Sequence, residues 1–491
     1  MAVQSQAWAL SGGLDLISPA LQMPPGKAIL AHNYECAMTG GYRRIDGYTI
    51  YDGRSNGTHL AVAGSGPIRG VWEYNNVVYA FRNNAGGSAC VMHKSTSSGW
   101  AVVSTPTLSP NGNFEFINHN FTGHSGSLKM FGCDGINKAF QFNGTTLSFL
   151  TTGMTTDTPS HIGVHKNHLF LSFTGGSVQH SGVGNPASWN LVTGAGEIGI
   201  GTEVTGFSSM KGDSLAITGI NQISILYGAS ASDWNLKLFS PAIGAVARTN
   251  GQMDSDLYFF NGDDLSSLTA TQAFGDFESA SVSAVVKPFI DARKSNTVGA
   301  TVNRDKNQYR LFFDDKSVLV GTIINRQVVG FTTWRLEHTP SFITEKYMGC
   351  TDGSVMYMDN GVSFNGIAIQ SYLRLPFTSF NTPHRKKRFR KATLELEAGS
   401  LATLDYLADY DYGSGGSSSG AQATVYGGGG FWDVANWNNF VWSSAVVASA
   451  EAYLNGSGMN ISLLIVHSSA TDPAFTLQGV QLNYSLRGLN R

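Results

Sequence analysis

The sequence has few charged side chains and no long helical or apolar runs. Asp, Glu, Lys and Arg make up 13% of its residues, against about a quarter in ordinary soluble domains. We therefore expect a surface of Ser, Thr, Asn and Gly, which is typical of β-rich proteins and assemblies. The formal net charge of −2 argues against a protein that grips nucleic acid across its whole surface, because such domains are usually strongly basic.

Signals for export, membrane insertion and metal binding are also missing. The first residues, "MAVQSQAWALSGGLDL", lack the basic start and apolar core of a secretory signal. No stretch approaches the roughly 18 to 20 apolar residues of a membrane span. The four cysteines form no C-x-x-C pair, so neither a disulfide framework nor a zinc site is indicated. We expect four reduced, mostly buried thiols, at Cys36, Cys90, Cys133 and Cys350.

The chain does contain a weak internal repeat of strand, tight turn and strand. Its seven copies are "YNNVVYAFRNN", "SGSLKMFGCDGINKAFQFNG", "HKNHLFLSFTGG", "KGDSLAITGINQISILYG", "DSDLYFFNGDDLSSL", "DKNQYRLFFDDKSVLV" and "TDGSVMYMDNGVSFNG". The turn residues before the first strand of each copy lie 41 to 51 residues apart, at Asn76, Gly126, Asn167, Gly212, Asp256, Asn307 and Gly353. This period matches a four-stranded propeller blade. A long β-sandwich or a string of hairpins is the alternative.

The composition changes near residue 376. A dense run of charge, "NTPHRKKRFRKATLELEAG", is followed by the Gly/Ser-rich stretch "YDYGSGGSSSGAQATVYGGGG" and by further strand-like segments. We therefore expect an all-β chain in three parts. Residues 1–60 form an N-terminal assembly segment that packs with a platform, residues 61–375 form a β-propeller-like domain, and residues 376–491 form a C-terminal β domain, a sandwich or platform.

No motif in the sequence predicts catalysis or a nucleotide site. "HSGVGNP" and "GHSGS" place Ser near His, but no helix pattern follows either segment, as a nucleophile elbow requires. "GAGEIGIG" lacks the strand-helix-strand setting of a dinucleotide fingerprint. We expect no enzyme activity and no cofactor.

Metal sites are not indicated either. His161, His165 and His168 are expected to be surface or turn histidines whose side chains do not converge. The acidic pairs Asp263/Asp264 and Asp314/Asp315 are expected to cap hairpin turns. A further acidic group lacks the spacing of a calcium loop; it comprises Asp405, Asp409 and Asp411.

The basic run "HRKKRFRK" concentrates six of the 32 basic residues into seven positions. Two interpretations stay open. The run is either a strand edge blunted by charge against unwanted pairing, or part of a positive ring at a subunit boundary that meets acidic partner surfaces or nucleic-acid phosphates. The residues are Arg385, Lys386, Lys387, Arg388, Arg390 and Lys391.

The stretch "NYECAMTGGYRRIDGYTIYDGR", residues 33–54, is rich in Gly, Tyr and Arg. A phosphate loop is excluded because its glycines precede strands and not a helix N-terminus. We expect the Gly-Gly pair to turn the chain, residues 45–51 to enter a sheet, and "YDGR" to close a hairpin. Fork-shaped contacts with carboxylates are then expected to pin this segment to a neighbouring protomer or domain, through Arg43, Arg44 and Arg54.

This segment, with "GPIRGVWEYNNVVYAF" and "SPAIGAVARTNGQMDSDLYFFNGDDLSSL", resembles the tail nozzle (tail tubular) proteins of short-tailed bacteriophages of the podovirus type. The resemblance covers about the first 375 residues. It implies a structural virion protein without enzyme activity, of which about six copies form a hollow tube below the portal and adaptor rings. That tube would retain the DNA and pass it during ejection.

The resemblance also implies partners and a location. The partners are further copies of the chain in an expected hexamer, the head-to-tail adaptor, tail fibre, spike or needle proteins, and double-stranded DNA in transient passage. The chain would be assembled in the bacterial cytoplasm and reside in the virion tail, without stable membrane insertion. Near-neutral charge suits a conduit, because a strongly basic lumen would hold the DNA.

A carbohydrate-binding or hydrolytic propeller is the alternative function. The C-terminal tryptophans could stack on sugar rings. So could the tryptophans that occur about once per repeat, although these are more simply explained as aromatic residues of the blade cores. The first group is Trp432, Trp437 and Trp442; the second is Trp72, Trp100, Trp189, Trp234 and Trp334.

Overall fold

The computed structural model describes residues 3–19, 22–210, 214–230, 232–253, 256–268, 281–398, 401–413, 419–426 and 447–489. Five short strands precede the repeats: β1 (Gln4–Ala9), β2 (Leu30–His32), β3 (Tyr34–Cys36), β4 (Tyr42–Arg44) and β5 (Tyr48–Ile50). Within the described ranges, no helix is both long enough and apolar enough to span a membrane.

Seven antiparallel units, here called blades, follow in chain order. Blade 1 has β6 (Ser65–Tyr74), β7 (Val77–Asn83), β8 (Cys90–Thr96) and β9 (Gly99–Val102); blade 2 has β10 (Glu115–His119), β11 (Lys129–Cys133), β12 (Phe140–Phe142) and β13 (Leu147–Phe149). Blade 3 has β14 (His161–His165), β15 (His168–Phe173), β16 (Ser177–His180) and β17 (Gly196–Gly199); blade 4 has β18 (Val204–Met210), β19 (Ser214–Gly219), β20 (Ile223–Tyr227) and β21 (Asn235–Ser240).

The last three blades are less uniform. Blade 5 has three described strands, β22 (Gly251–Met253), β23 (Asp256–Phe260) and β24 (Leu265–Ser267), and is followed by the short helix α1 (Lys287–Asp291). Blade 6 has β25 (Thr297–Asn303), β26 (Gln308–Phe313), β27 (Ser317–Ile324) and β28 (Gln327–Arg335). Blade 7 has β29 (Pro340–Ile343), β30 (Tyr347–Cys350) and β31 (Val355–Met358), and β5 is its fourth strand.

The blades form a closed ring. The first strand of each blade lies against the first strand of the next, from β6 through β10, β14, β18, β22 and β25 to β29, which returns to β6. Separate apolar cores lie between neighbouring blades. The middle strands are buried on both faces, as in β15 and β26, and most of their side chains are apolar or aromatic. The chain is an all-β protein with a seven-bladed propeller, and the propeller-like class predicted from the sequence is confirmed.

Local turn chemistry sets the blade hairpins. Asn75 and Asn76 between β6 and β7 both have positive φ, at 49° and 60°, and Lys166 and Asn167 between β14 and β15 do too, at 45° and 61°. Two-residue turns of this kind match the twist of antiparallel strands and favour Asn. Six of the seven repeat copies fall on the first hairpin of a blade, while the copy at Gly353 falls on the second hairpin of blade 7.

Blade 7 is completed by the N-terminal segment. β5 pairs antiparallel with β31, with Ile50 opposite Met356 and Tyr48 opposite Met358. The buried Tyr48 ring stacks on Phe364 at 4.7 Å between centroids. The expectation that "YDGR" closes a hairpin is therefore wrong, because β5 takes its partner from the far end of the propeller. The propeller thus uses residues from both sides of the expected boundary at residue 60.

The C-terminal strands build a sandwich on this propeller. They are β32 (Ile369–Arg374), β33 (Arg385–Ala398), β34 (Leu401–Tyr410), β35 (Ser419–Tyr426), β36 (Val447–Gly458), β37 (Ile461–Ser469) and β38 (Phe475–Leu489). One sheet has the order β3-β4-β38-β33-β36, with β1 also on β38. The other is a nine-stranded sheet in which β28 of blade 6 continues through β2 and β32 to β37, β34 and β35. Propeller and sandwich therefore share a hydrogen-bonded sheet.

Glycines let the inner strands approach closely. A Cβ added to Gly163 on β14 would lie 2.6 Å from the Cβ of Phe207 on the next blade. Atoms at that distance overlap, and overpacking of a core typically costs about 1–3 kcal/mol. We expect Gly163→Val to lower the free energy of unfolding by about that amount, measured by urea denaturation.

Gly199, on β17 of the same blade, supplies the matched control. Nothing lies within 4 Å of a Cβ placed there, and its φ is not positive. Gly199→Val should leave the free energy of unfolding within about 0.5 kcal/mol of wild type. Equal effects of the two substitutions would contradict this account of blade packing.

Candidate functional site

The axis of the propeller contains a cavity of about 250 Å³. All seven blades contribute to its lining through their innermost strands or the residues just before them. Two further recesses, which share lining residues with it, adjoin the cavity. Four aromatic side chains line part of the wall, those of Trp72, Phe116, Phe207 and Phe342, and polar atoms make up the larger part of its surface. A concave site that combines aromatic rings with converging polar groups is a candidate small-molecule site.

Three ionisable side chains meet at the axis: Glu115 and Arg248 line the cavity, and His161 lines an adjoining recess. His161 Nδ1 lies 2.8 Å from Glu115 Oε1, and Arg248 Nε lies 3.8 Å from the same oxygen. Burial by itself raises the pKa of the Glu115 carboxyl, but His161 and Arg248 outweigh it, so that pKa lies below its ordinary value. The axial cavity therefore holds a charged carboxylate beside a guanidinium.

Arg248 is held in an uncommon backbone conformation. Its φ is +63°, in the left-handed region that few residues other than Gly, Asn and Asp adopt. Its carbonyl accepts a hydrogen bond from the amide of Ala300 on blade 6, at 2.8 Å. Such outliers cost on the order of 1–3 kcal/mol and cluster at functional sites.

A second polar group joins the N-terminal segment to the propeller, and we call it the ionic clasp. It comprises Glu35, Arg43, Asp46, Lys306, Arg310 and Asp359. Lys306 Nζ is 2.8 Å from both Asp46 and Asp359 and 3.2 Å from Glu35. Burial by itself lowers the pKa of Lys306, but the three carboxylates raise it by more. The pKa of Lys306 therefore lies above its ordinary value. Three cations thus neutralise three carboxylates between β3, β4 and blades 6 and 7.

Two of the expected interface arginines serve the fold of their own chain. Arg43 forms the fork-shaped contact expected of it, with Asp46 at 2.8 and 2.9 Å, inside the ionic clasp. Arg44 has 0% exposure and donates to the backbone carbonyls of Asp472, Val362 and Ser469 at 2.6, 3.0 and 3.0 Å. The expectation of carboxylate partners for Arg44 is wrong, because its guanidinium ties β4 to loops of the sandwich and blade 7.

Arg54 also stays within the chain. It donates to the carbonyls of Thr58 and Ser98 at 2.5 and 2.8 Å, and it pairs with Asp52 at 3.3 Å. These contacts link the segment after β5 to the β8–β9 turn of blade 1. Its side chain is 24% exposed.

The basic run lies in the middle of a sheet and not at its edge. β33 pairs with β36 on one side and with β38 on the other, so the interpretation as a blunted strand edge is wrong. Lys387 is fully buried, and it donates to the carbonyls of Thr382, Arg385 and Met459 at 2.8, 3.0 and 2.8 Å. Burial lowers the pKa of Lys387 to about 8.

Two other basic residues of the run, Arg388 and Arg390, form a basic stripe on the outer face of the sandwich. Arg388 and Arg390 are exposed, whereas Phe389 between them points into the core. Lys391 pairs with Glu451 on β36 at 2.6 Å. Among the described residues, no carboxylate forms an ion pair with the remaining members, Arg385, Lys386, Arg388 and Arg390.

The histidine and cysteine expectations had different outcomes. The interpretation as surface or turn residues is wrong for the three histidines, because they lie in strands β14 and β15 and are buried, with 7%, 6% and 2% exposure at His161, His165 and His168. All four cysteines are free and buried, as predicted. Burial raises the pKa of the Cys36, Cys90 and Cys350 thiols to about 12.

The remaining candidates serve the fold or lie outside the described ranges. In the part of the chain that the structure describes, no group of three potential ligands could hold a metal ion. Ser181 is buried and bonds to backbone groups of its own blade. The five repeat tryptophans pack into the cores, as expected. The C-terminal three lie outside the described residues: Trp432, Trp437 and Trp442.

The axial residues were missed by sequence reasoning. Glu115 and Arg248 stand alone in "NFEFIN" and "AVARTN", without a motif around either. Only closure of the ring brings blades 2, 3 and 5 together at the axis. The internal repeat was the one signal that could have indicated them, since the first strand of each blade faces that axis.

The ionic clasp makes stability depend on pH. The Asp359 carboxyl is buried, which raises its pKa, but Arg310 and Lys306 outweigh burial and hold that pKa well below its ordinary value. The unfolded chain therefore binds a proton near pH 4 that the folded chain still lacks. The contribution of Asp359 is fully present above about pH 4 and is lost as the pH falls further.

We expect Asp359→Asn to lower the free energy of unfolding at pH 7 by about 3–5 kcal/mol, because Arg310 is left with a buried charge. Arg310 has 1% exposure. Urea denaturation at pH 7 and below pH 4 should show a smaller difference from wild type at the acid pH.

Glu345→Gln is the matched control, because the Glu345–Arg304 pair is exposed, with side chains 43% and 62% accessible. It should change the free energy of unfolding by less than about 1 kcal/mol. If the difference in free energy of unfolding between Asp359→Asn and wild type does not vary with pH, the charged Asp359 carboxylate is not the source of the pH-dependent stability.

Comparisons with known proteins give fold neighbours only. No protein-family model matches the chain, and no curated protein matches it. Among solved structures it is similar to virginiamycin B lyase from Staphylococcus aureus, at 10% identity and a TM-score of 0.42, over 61% of this chain and 97% of that one. It is also similar to U3-55K, at 10% identity and 0.42, over 63% and 98%. The WD40 repeats of RRP9 match at 10% and 0.41, over 63% and 99%. The fold assignment stands on the strand pairing itself.

Proposed function

We propose that this chain is the structural subunit of a ring-shaped DNA conduit, the nozzle of a short phage tail. The observation that carries the proposal is the nine-stranded sheet that runs from blade 6 into the sandwich. Together with the ionic clasp, it joins two large β units through backbone hydrogen bonds and buried ion pairs. A protomer with such a joint suits a ring, because it holds the subunit surfaces at a fixed angle.

The propeller axis itself is not the conduit in this proposal. Its cavity of about 250 Å³ is lined by aromatic rings, and a double helix, whose major groove alone is about 12 Å wide, cannot enter it. The lumen must therefore lie between copies of the chain. The propeller is then a rigid wall element of the tube.

The basic stripe of β33 is the surface that we assign to the subunit boundary. Arg388 and Arg390 project from a sheet face on which the neighbouring strand β38 carries the uncharged Asn483 and Ser485. Because the net charge of the whole chain is −2 although this run carries six cations, the rest of the chain has an acidic excess. Such a stripe can steer association with a neighbouring copy and set its register.

The sequence resemblance supports the same function. Its N-terminal part, residues 33–54, supplies β3, β4 and β5, and these strands join the sandwich to the last blade. The segment with the most specific likeness to tail nozzle proteins is therefore the segment that holds the two β units together. Retention and ejection of DNA below the portal and adaptor would follow from the ring.

The test is the assembly state of the purified chain, alone and mixed with a head-to-tail adaptor of a short-tailed phage. Mass photometry and negative-stain imaging should show closed rings with a central opening, expected to contain six copies. Particles of 52.5 kDa alone under both conditions would contradict the proposed function.

Charge reversal tests the assigned boundary separately. Arg388→Glu combined with Arg390→Glu should shift the particles from rings to single chains, because like charges juxtaposed at an interface are costly. Lys94→Glu combined with Arg326→Glu changes the same number of exposed charges on the propeller and should leave the rings intact. Rings unaffected by the first pair would refute the location of the boundary but not the nozzle.

A further inference from the structure

The axial cavity has the chemistry of a ligand site that the nozzle function does not use. We propose that it binds one neutral sugar ring, held by Glu115 and Arg248 and stacked against the aromatic wall. This inference goes beyond the proposed function and does not depend on it, since the cavity lies within a single chain.

The polar pair favours a hydroxylated ligand without net charge. Arg248 Nε is 3.8 Å from Glu115 Oε1, beyond a direct hydrogen bond, whereas His161 Nδ1 is 2.8 Å from the same oxygen. The lone pairs of Glu115 that His161 does not use, and the donors of Arg248, remain for a ligand. Glu115 is an acceptor and Arg248 a donor, whereas a sugar hydroxyl is both. Adjacent hydroxyls of one ring can therefore donate to Glu115 and accept from Arg248 at the same time. The opposite charges of the pair disfavour a ligand with a large charge of its own.

The aromatic wall supplies the second half of sugar recognition. Trp72 and Phe116 stack on each other at 5.8 Å between centroids, and Phe116 meets Phe342 edge to face at 6.2 Å. Trp72 Nε1 already donates to Asn118 at 2.9 Å, so the ring is fixed in orientation. The C–H faces of a sugar are apolar and match such a rigid wall.

The size of the cavity limits the ligand to one ring. Sites for drug-sized ligands measure about 300–1,000 Å³, and the axial cavity, at about 250 Å³, lies just below that range. The adjoining recess on the side of Arg248, lined by Asn113 and Ser160 among others, gives a polar entrance. A longer saccharide would have to extend through that recess.

The strained backbone of Arg248 points to a role for its side chain. Gly would adopt its φ of +63° without steric cost, so arginine is the less favourable residue for the fold at this position. An arginine at this position therefore indicates a use for its guanidinium, which reaches the cavity. This gives the test a useful property, because removal of the side chain by Gly relieves strain.

The experiment measures binding of D-glucose, D-galactose, D-mannose and N-acetyl-D-glucosamine to the full chain by saturation-transfer NMR and calorimetry. D-glucuronate and inorganic phosphate are the charged probes. We expect saturable binding of at least one neutral sugar. Arg248→Gly should weaken it by about tenfold or more, the effect of losing a hydrogen bond to a charged group, with a thermal midpoint no lower than wild type.

Arg326→Gly is the matched control. Arg326 also has positive φ, at 66°, but it lies on the exposed β27–β28 turn, so its removal should leave sugar binding unchanged. Arg248→Asn, which tolerates the left-handed conformation but is too short to reach the cavity, should behave like Arg248→Gly. Absence of saturable binding at millimolar sugar, binding retained in both Arg248 variants, an equal loss in Arg326→Gly, or preference for glucuronate or phosphate would each overturn the proposal.

Discussion

Pairing of β5 with β31 is the constraint on which the rest of the structure depends. Seven blades form a ring only if the last meets the first, and here three residues near the N-terminus, Tyr48–Ile50, complete the last blade. The preceding strands β3 and β4 belong to the sandwich sheet. One short segment therefore closes the propeller and joins it to the sandwich, with Arg44 and the ionic clasp filling the joint between them.

The parts of the fold that depend on local chemistry were predictable from the sequence. Turns that contain Asn and strand-like segments recur along the chain with a period near 45 residues. This recurrence predicted the propeller class. Long-range pairing was not predictable. The bridge from His32 to Thr333 and that from Ile50 to Met356 join residues about 300 positions apart. No pattern in either segment indicates which strand it pairs with. The blade 7 repeat was accordingly placed one hairpin too late.

The candidate sites divide in the same way, into features that local sequence predicts and features that depend on long-range contacts. Residues 33–54 were identified as important from their Arg, Gly and Tyr content, but burial decides what each arginine does: Arg43 meets carboxylates and Arg44 meets carbonyls. Alternation along β33 could have separated the buried Lys387 from the exposed Arg388. The sequence alone did not show that β33 is a central strand, and nothing in it brought Glu115 beside Arg248, because that contact exists only after ring closure.

The propeller and the sandwich form one scaffold joined by the N-terminal segment, which is the property that the proposed ring subunit needs. Hydrogen–deuterium exchange of the full chain tests this most directly. Amides of the β5–β31 ladder should exchange as slowly as those of the β29–β30 hairpin, because opening the ladder requires opening the ring. Fast exchange of β5 beside a protected β29–β30 hairpin would show that the N-terminal segment is not the lock.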